Sequence, residues 1–312
     1  GYPGPLFIVG QYYESQAVAE LISPILNIVA PVAAIAAIGL AIAFLKLPFD
    51  HRVIDTAALK IGFPCLIIYH LNQGHIEVAP FLHLVVAFLA MLGTFLVVTV
   101  VFLKLVRLPI RAFATPMSFI NISSVGLPIV SLAYGPQGLS YGVAAFAALV
   151  LSLFTVGEWI PKGSVSFRDV LTSPVIYSIV IALALLTTDT KLPAPAASAL
   201  QILGGLPIPL MLLTLGHSLA TLKVGDLGQG TLLALFHLAT GLSIGLVLAS
   251  LFGFEGTQRG VYVVMSIMPV GIIGYLFVEK YTPEWTRPLA GVILVSNILT
   301  LVSLPLVLTY VL

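Results

Sequence analysis

The sequence predicts an all-α integral membrane protein with ten transmembrane helices arranged as two inverted five-helix repeats. Three observations carry that expectation: scarce charge, ten apolar runs of membrane length, and matching residues in the same order in each half. Of 312 residues, 59% are apolar and only 8% are charged, where an average soluble domain has about 25% charged. Thirteen basic and twelve acidic side chains cannot cover the surface of a soluble fold this long. The mean hydropathy of +1.13 leaves no polar half to offset the apolar one. The net charge is +1, with no basic run or acidic tail, so nothing points to nucleic acid or to a partner held by charge. Cys65 is the single cysteine and has no internal disulfide partner.

A hydrocarbon core about 30 Å thick needs about 20 apolar residues in a helix. Runs of that kind cover residues 21–45, 53–71, 80–104, 112–133, 137–160, 173–188, 195–222, 230–252, 258–280 and 286–311, numbered here as spans 1 to 10. They are continuously apolar, which excludes the alternating strands of a membrane barrel. Residues 1–20 contain no basic stretch leading into an apolar one, so they are read as an external segment and not as a signal peptide. Span 1 closes at Lys46-Leu47-Pro48, span 5 at Trp159, span 6 at Lys191-Leu192-Pro193, and span 9 at Lys280-Tyr281.

Basic residues orient the spans, because positively charged loops stay in the cytoplasm. The connections after spans 1, 3, 5, 7 and 9 hold Lys46, Arg52, Lys104, Arg107, Arg111, Lys162, Arg168, Lys223, Lys280 and Arg287, whereas the opposite side holds Lys191 and Arg259. Ten against two places both termini outside the cytoplasm, in a cell (inner) membrane. Trp159, Tyr281 and Trp285 fall at cytoplasmic span ends, as interfacial aromatics do. All connections are short, so the function belongs inside the bilayer.

The halves match. Lys46-Leu47-Pro48 answers Lys191-Leu192-Pro193; Phe63-Pro64 through His70 in span 2 answers Ile208-Pro209 through His217 in span 7; Gly126-Leu127-Pro128 in span 4 answers Met268-Pro269-Val270-Gly271 in span 9. Five spans is an odd number, so the second copy enters from the other side. The repeats are 21–160 and 173–312, joined by a cytoplasmic linker at 161–172.

Proline with nearby glycine breaks a helix, and freed backbone groups survive at membrane depth only against protein or a water-filled cavity. Spans 4 and 9 are therefore expected to break, with Pro128 and Pro269 opening the second half-helices and Asn121, Ser123, Ser124 and Gly126 beside the first gap. Two positive helix ends facing one gap suit an anion. Met268, Pro269 and Gly271 are the corresponding candidates in span 9, and Asn297 in span 10 is a further polar candidate for the cavity. Lys60 lies about 10 Å inside span 2 at 1.5 Å per residue. It either meets the substrate carboxylate or snorkels to the interface. His217 and His70 are candidates for proton coupling, since histidine titrates near physiological pH. No Asp or Glu is expected at mid-membrane, which disfavours a sodium site.

Several of these stretches together resemble the auxin efflux carrier family: Pro31 and Gly39; Leu59-Lys60-Ile61-Gly62-Phe63-Pro64-Cys65; Asn121 to Pro128 with Tyr134-Gly135; Ile208-Pro209-Leu210 through His217-Ser218-Leu219; and Pro269 with Glu279-Lys280-Tyr281. The chain lacks the long insertion between spans 5 and 6 found in many plant members and looks like a compact prokaryotic one. The resemblance implies that spans 4 and 9 cross at mid-membrane. It also implies that spans 1, 2, 6 and 7 form a scaffold that pairs into a homodimer, and that spans 3–5 and 8–10 form a moving, elevator-type transport unit. Implied substrates are small organic anions, auxin-like or malonate- and malate-like. Ile120 and Ile273 depart from the family's Gly and Asn at those positions. A sodium-coupled symporter of the bile acid type and an anion channel are the alternatives. No HExxH, GxSxG or paired intramembrane aspartate suggests an enzyme, and no motif calls for a cofactor or metal.

Overall fold

The computed structural model describes residues 26–73, 76–163, 172–225 and 227–310. The external segment expected at 1–20 and most of the 161–172 linker lie outside them. The described residues are helical and contain no strand. In chain order they form α1 (Leu26–Phe44), α2 (His51–Asn72), α3 (Val78–Leu105), α4 (Ile110–Ser118), α5 (Leu127–Ser152), α6 (Glu158–Lys162), α7 (Pro174–Thr187), α8 (Ala194–Gly204), α9 (Pro207–Thr221), α10 (Leu227–Leu251), α11 (Gly256–Ser266), α12 (Ile272–Tyr281) and α13 (Thr286–Tyr310).

Among the described residues, seven helical stretches are long and apolar enough to cross a membrane: α1, α2, α3, the path Ile110–Lys162, α8 with α9, α10, and Pro283–Thr309. Ten are expected from the sequence, and the difference has identifiable causes. The path Ile110–Lys162 runs 53 residues and takes in two of the expected spans, which part at Gly135 (φ 61, ψ −152). Glycine tolerates that backbone, and other residues rarely do. The 14-residue α7 is short, and α11 and α12 are separated by a non-helical stretch at Ile267–Gly271. The chain is a multi-pass membrane protein.

Lipid removes the hydrophobic drive between helices, so association rests on close packing and small residues. At the crossing of α1 and α9, a Cβ on Gly39 would overlap the Leu213 carbonyl and one on Gly216 would overlap the Ala36 carbonyl. The two backbones meet through each other's glycines. Helix α2 packs on α7 and α8, with Gly204 against the Leu66 backbone. Asn72 ties its end to the chain beyond α7, donating to the Thr190 carbonyl at 2.7 Å and accepting from Leu192 N–H at 3.2 Å. A Cβ on Gly62 would stand 2.5 Å from the Pro207 ring. Gly62→Ala is therefore expected to overpack α2 against α9 and cost about 1–3 kcal/mol, read as a lower Tm in detergent.

Helices α3, α4, α5, α10, α11 and α13 pack among themselves. Tyr262 of α11, fully buried, donates its hydroxyl to the Ala87 carbonyl of α3 at 2.6 Å. Phe63 of α2 stacks on Phe146 of α5 with centroids 4.2 Å apart, which joins the two sets of helices. Large apolar side chains such as Leu105, Ile202 and Leu251 are exposed, as the lipid-facing side of such a protein requires.

Candidate functional site

Among the described residues, two expected spans are interrupted, at Phe119–Asn121 between α4 and a π-helical turn Ile122–Gly126, and at Ile267–Gly271 between α11 and α12. The two interruptions lie against each other. Asn121 N–H donates to the Pro269 carbonyl at 2.8 Å, and Gly271 N–H donates to the Pro116 carbonyl at 3.2 Å. A Cβ on Gly271 would overlap the Phe119 carbonyl, and one on Gly274 would stand 2.5 Å from the Pro116 backbone. Glycine is required here for close approach, not for its dihedrals, since Gly271 is extended (φ −70, ψ 126).

Backbone groups freed at membrane depth each cost several kcal/mol unless the protein satisfies them. Here neighbouring helices supply the partners. Ser296 of α13 accepts from Val270 N–H at 3.2 Å, and Thr300 donates to the Ile267 carbonyl at 3.2 Å. His237 of α10 bridges the last turn of α4 and the second interruption, Nδ1 3.0 Å from the Met117 carbonyl oxygen and Nε2 2.9 Å from that of Met268.

After this backbone accounting, side-chain groups are left over. Asn121 is 4% exposed; its Oδ1 accepts from Ser124 N–H at 3.2 Å, which fixes its Nδ2 as the opposite end of the amide. That Nδ2 is buried without a partner, and so are Ser118 Oγ beside it in sequence and Thr99 Oγ1 on α3. Such orphans are rare in native proteins and each one asks for a reason. No side chain caps the N-terminus of α12, and Gly271 at that cap lies 3.7 Å, measured from an ideal Cβ, from the carbonyl carbon of Ile120, the residue before Asn121. An uncapped helix N-terminus and a residue with an unpaired amide donor therefore lie close together. An anionic or hydrogen-bond-accepting group suits both.

The predicted residues divide. Asn121, Ser123 and Gly126 are buried at the first interruption, with Ser124 half-buried. Gly126 faces Met265 at the end of α11 and Met268 of the second. Met268, Pro269 and Gly271 form that second interruption. Pro128 does not open a half-helix after a break. The break lies upstream, at Phe119–Asn121, and the helix carries through Pro128 because the π turn before it bonds Leu127 N–H to the Ile122 carbonyl, five residues back. That wider turn makes room for the pyrrolidine ring. Pro269 likewise lies inside its interruption, three residues before Ile272. Asn297 gives its amide to the Ile293 carbonyl of its own helix at 2.8 Å, and it is the adjacent Ser296 that reaches the gap.

Three candidates lie elsewhere. Lys60 is exposed in the π-helical turn Ala58–Gly62 of α2 and makes no hydrogen bond or ion pair within the described residues, as a snorkelling lysine would. Lys60→Ala is expected to leave substrate affinity within about twofold of wild type, as a surface substitution does. His217 meets His51, Nδ1 to Nε2 at 2.9 Å, and stacks on Phe49 with centroids 4.4 Å apart. His70 packs edge-on against Tyr69.

Sequence reasoning missed His237, Ser296 and Thr300. Ser296 and Thr300 are four apart and share a helix face. His237, Gly241 and Gly245 follow the same four-residue step on α10. Both glycines lie against Ser266 at the end of α11, so this stripe marks the face on which α10 meets the second interruption. A better register for the halves was also legible: Met117-Ser118 and Met265-Ser266 each precede an interruption by the same short distance, which sets Asn121 opposite Pro269.

Against known proteins, residues 163–308 match the family model described as membrane transport protein. No curated protein matches the chain.

Proposed function

The chain belongs to the membrane transport protein family through residues 163–308, the family of the auxin efflux carriers that its motifs resemble, and from that premise we propose that it is a secondary carrier of a small organic anion. The observation that carries the substrate class is the buried, unpartnered Nδ2 of Asn121 beside the uncapped N-terminus of α12. No carboxylate is among the residues that form the two interruptions, so the gap offers donors and positive dipole ends to a negative guest. Asn121, Ser123, Ser124, Gly126, Met268, Pro269 and Gly271 form the proposed binding site.

The architecture proposed is ten spans in two inverted repeats, with the interruptions of α4–α5 and α11–α12 as the crossover at mid-membrane. Three features support it: the paired interruptions, the Met-Ser register that relates them, and the turn at Gly135 that divides the 53-residue path. Helices α1, α2, α7, α8 and α9 form the scaffold, and the remainder moves against it by an elevator-type displacement. The glycine-mediated crossing of α1 and α9 gives such a scaffold its rigidity. Two chains pair through their scaffolds, with all termini external.

Saturable counterflow of labelled malonate in proteoliposomes tests the carrier, with malate, other short carboxylates and indole-acetic acid as competitors. Saturation with competition by carboxylates is the expected result. Stabilisation of the purified protein by cations or neutral solutes alone, with no response to any carboxylate, would overturn the anion assignment. Light scattering that finds one chain per particle would remove the dimer.

A further inference from the structure

His237 is 2% exposed and has a carbonyl oxygen at each ring nitrogen, Met117 at 3.0 Å and Met268 at 2.9 Å. A neutral imidazole carries one N–H and one lone pair. In either tautomer it would satisfy one carbonyl and set its lone pair against the other oxygen. Only the imidazolium, which donates from both nitrogens, satisfies both contacts. A buried charge is costly, yet losing the proton breaks one of the bonds that hold the interruptions, so each state is opposed and the ring is poised between them. Its remaining described contact is apolar, Phe95 with centroids 5.1 Å apart.

Charged and titratable groups on the surrounding helices are His83 and Lys104 of α3, Arg111 of α4, Arg259 and Tyr262 of α11, and Arg287 of α13. Tyr262 is engaged with Ala87. The basic residues and His83 lie within about a turn or two of their helix ends, whereas His237 is central in α10. No acidic side chain is bonded to the ring among the described residues, so the charge it would carry has no resident counter-ion.

We infer that His237 is a proton site built beside the paired interruptions, an imidazolium that clamps the end of α4 to the second interruption and supplies the positive charge for the anionic cargo. The clamp stands on the geometry alone, and the part concerning cargo rests on the carrier reading above. Protonation and anion occupancy then support each other, since the charge lowers the cost of bringing an anion into the gap and the anion lowers the cost of the charge.

Solid-state NMR of the full chain in lipid, with ring-15N histidine and carbonyl-13C methionine, tests the clamp directly. One ring is expected that takes up a second ring proton as the pH is lowered toward 5, with both nitrogens then correlating with methionine carbonyls, Met117 and Met268. Loss of that signal in His237→Gln confirms its assignment, and the methionine correlations assign it even if that variant does not fold. A His237 ring with one bare nitrogen from pH 5 to pH 7 would overturn the proposal. In the second arm, the KM for labelled malonate counterflow is expected to rise at least tenfold across the pH interval in which the NMR shows the ring losing its proton, a rise that His237→Gln lacks, staying high at every pH apart from the titration of malonate itself. A wild-type KM that follows the variant at every pH would overturn the cargo role. Absence of malonate counterflow with a doubly protonated ring would overturn the carrier reading and leave the clamp standing.

Discussion

Gly271→Val is expected to abolish transport and to unfold the crossover before the rest of the protein. A Cβ at this position would overlap the Phe119 carbonyl, and that atom is backbone, held by the very contacts that bring the interruptions together. The neighbour has no rotamer to change, so the two segments must separate. Separation breaks the Asn121–Pro269 and Gly271–Pro116 backbone bonds, each worth about 1 kcal/mol net in water and more at membrane depth, where the freed groups have no solvent. The expected cost is about 3 kcal/mol or more, read as a fall in Tm and as earlier proteolysis near residues 119–121 and 267–271. A Gly271→Val protein that melts with wild type would show that the interruptions do not depend on each other.

Asn121→Asp separates binding from folding. A carboxylate at this position still accepts from Ser124 N–H and still caps the helical turn that follows, and a negative charge at a helix N-terminus is favourable. The amide's other end is what disappears. Nδ2, buried and unpaired, becomes a second acceptor that repels an anion. A hydrogen bond to a charged group is worth about 1.5–3 kcal/mol, and like-charge repulsion adds to it, so malonate affinity at pH 8 is expected to fall at least about 100-fold. The buried charge is itself costly, so some fall in Tm is expected, smaller than that of Gly271→Val, and affinity is read well below it. Retained malonate affinity would remove Asn121 from the site. A neutral amide cargo would tolerate the change far better than a dicarboxylate.

Much of this was readable from residues alone, because membrane burial imposes strong rules on composition. Apolar runs set the helices, and α3, α10 and α13 begin and end within a few residues of expectation. Asn121, Gly126, Met268, Pro269 and Gly271 lie at or beside the interruptions because backbone breaks at depth need glycine, proline and polar partners. Their register was not readable, since a π turn lets a helix pass through Pro128 and no composition rule marks such a turn. His237 escaped for a different reason. Its carbonyl partners lie 120 and 31 residues away in sequence, and backbone oxygens leave no trace in side-chain identity. Asn297 misled by proximity: being next to Ser296, it points about 100° away around the helix.

The hydrogen bonds at the interruptions have a mechanical consequence. Phe119–Asn121 and Ile267–Gly271 are the least regular stretches among the described helices, yet their polar backbone atoms are tethered to α4, α10 and α13. Irregular backbone usually signals a soft spot. Here it works as a splice: displacing the Asn121 amide by one ångström drags parts of three helices with it. Amide exchange at Asn121, Val270 and Gly271 should therefore be slow and correlated, and compliance in this molecule has to be sought where α9 slides past the Ile122–Gly126 turn.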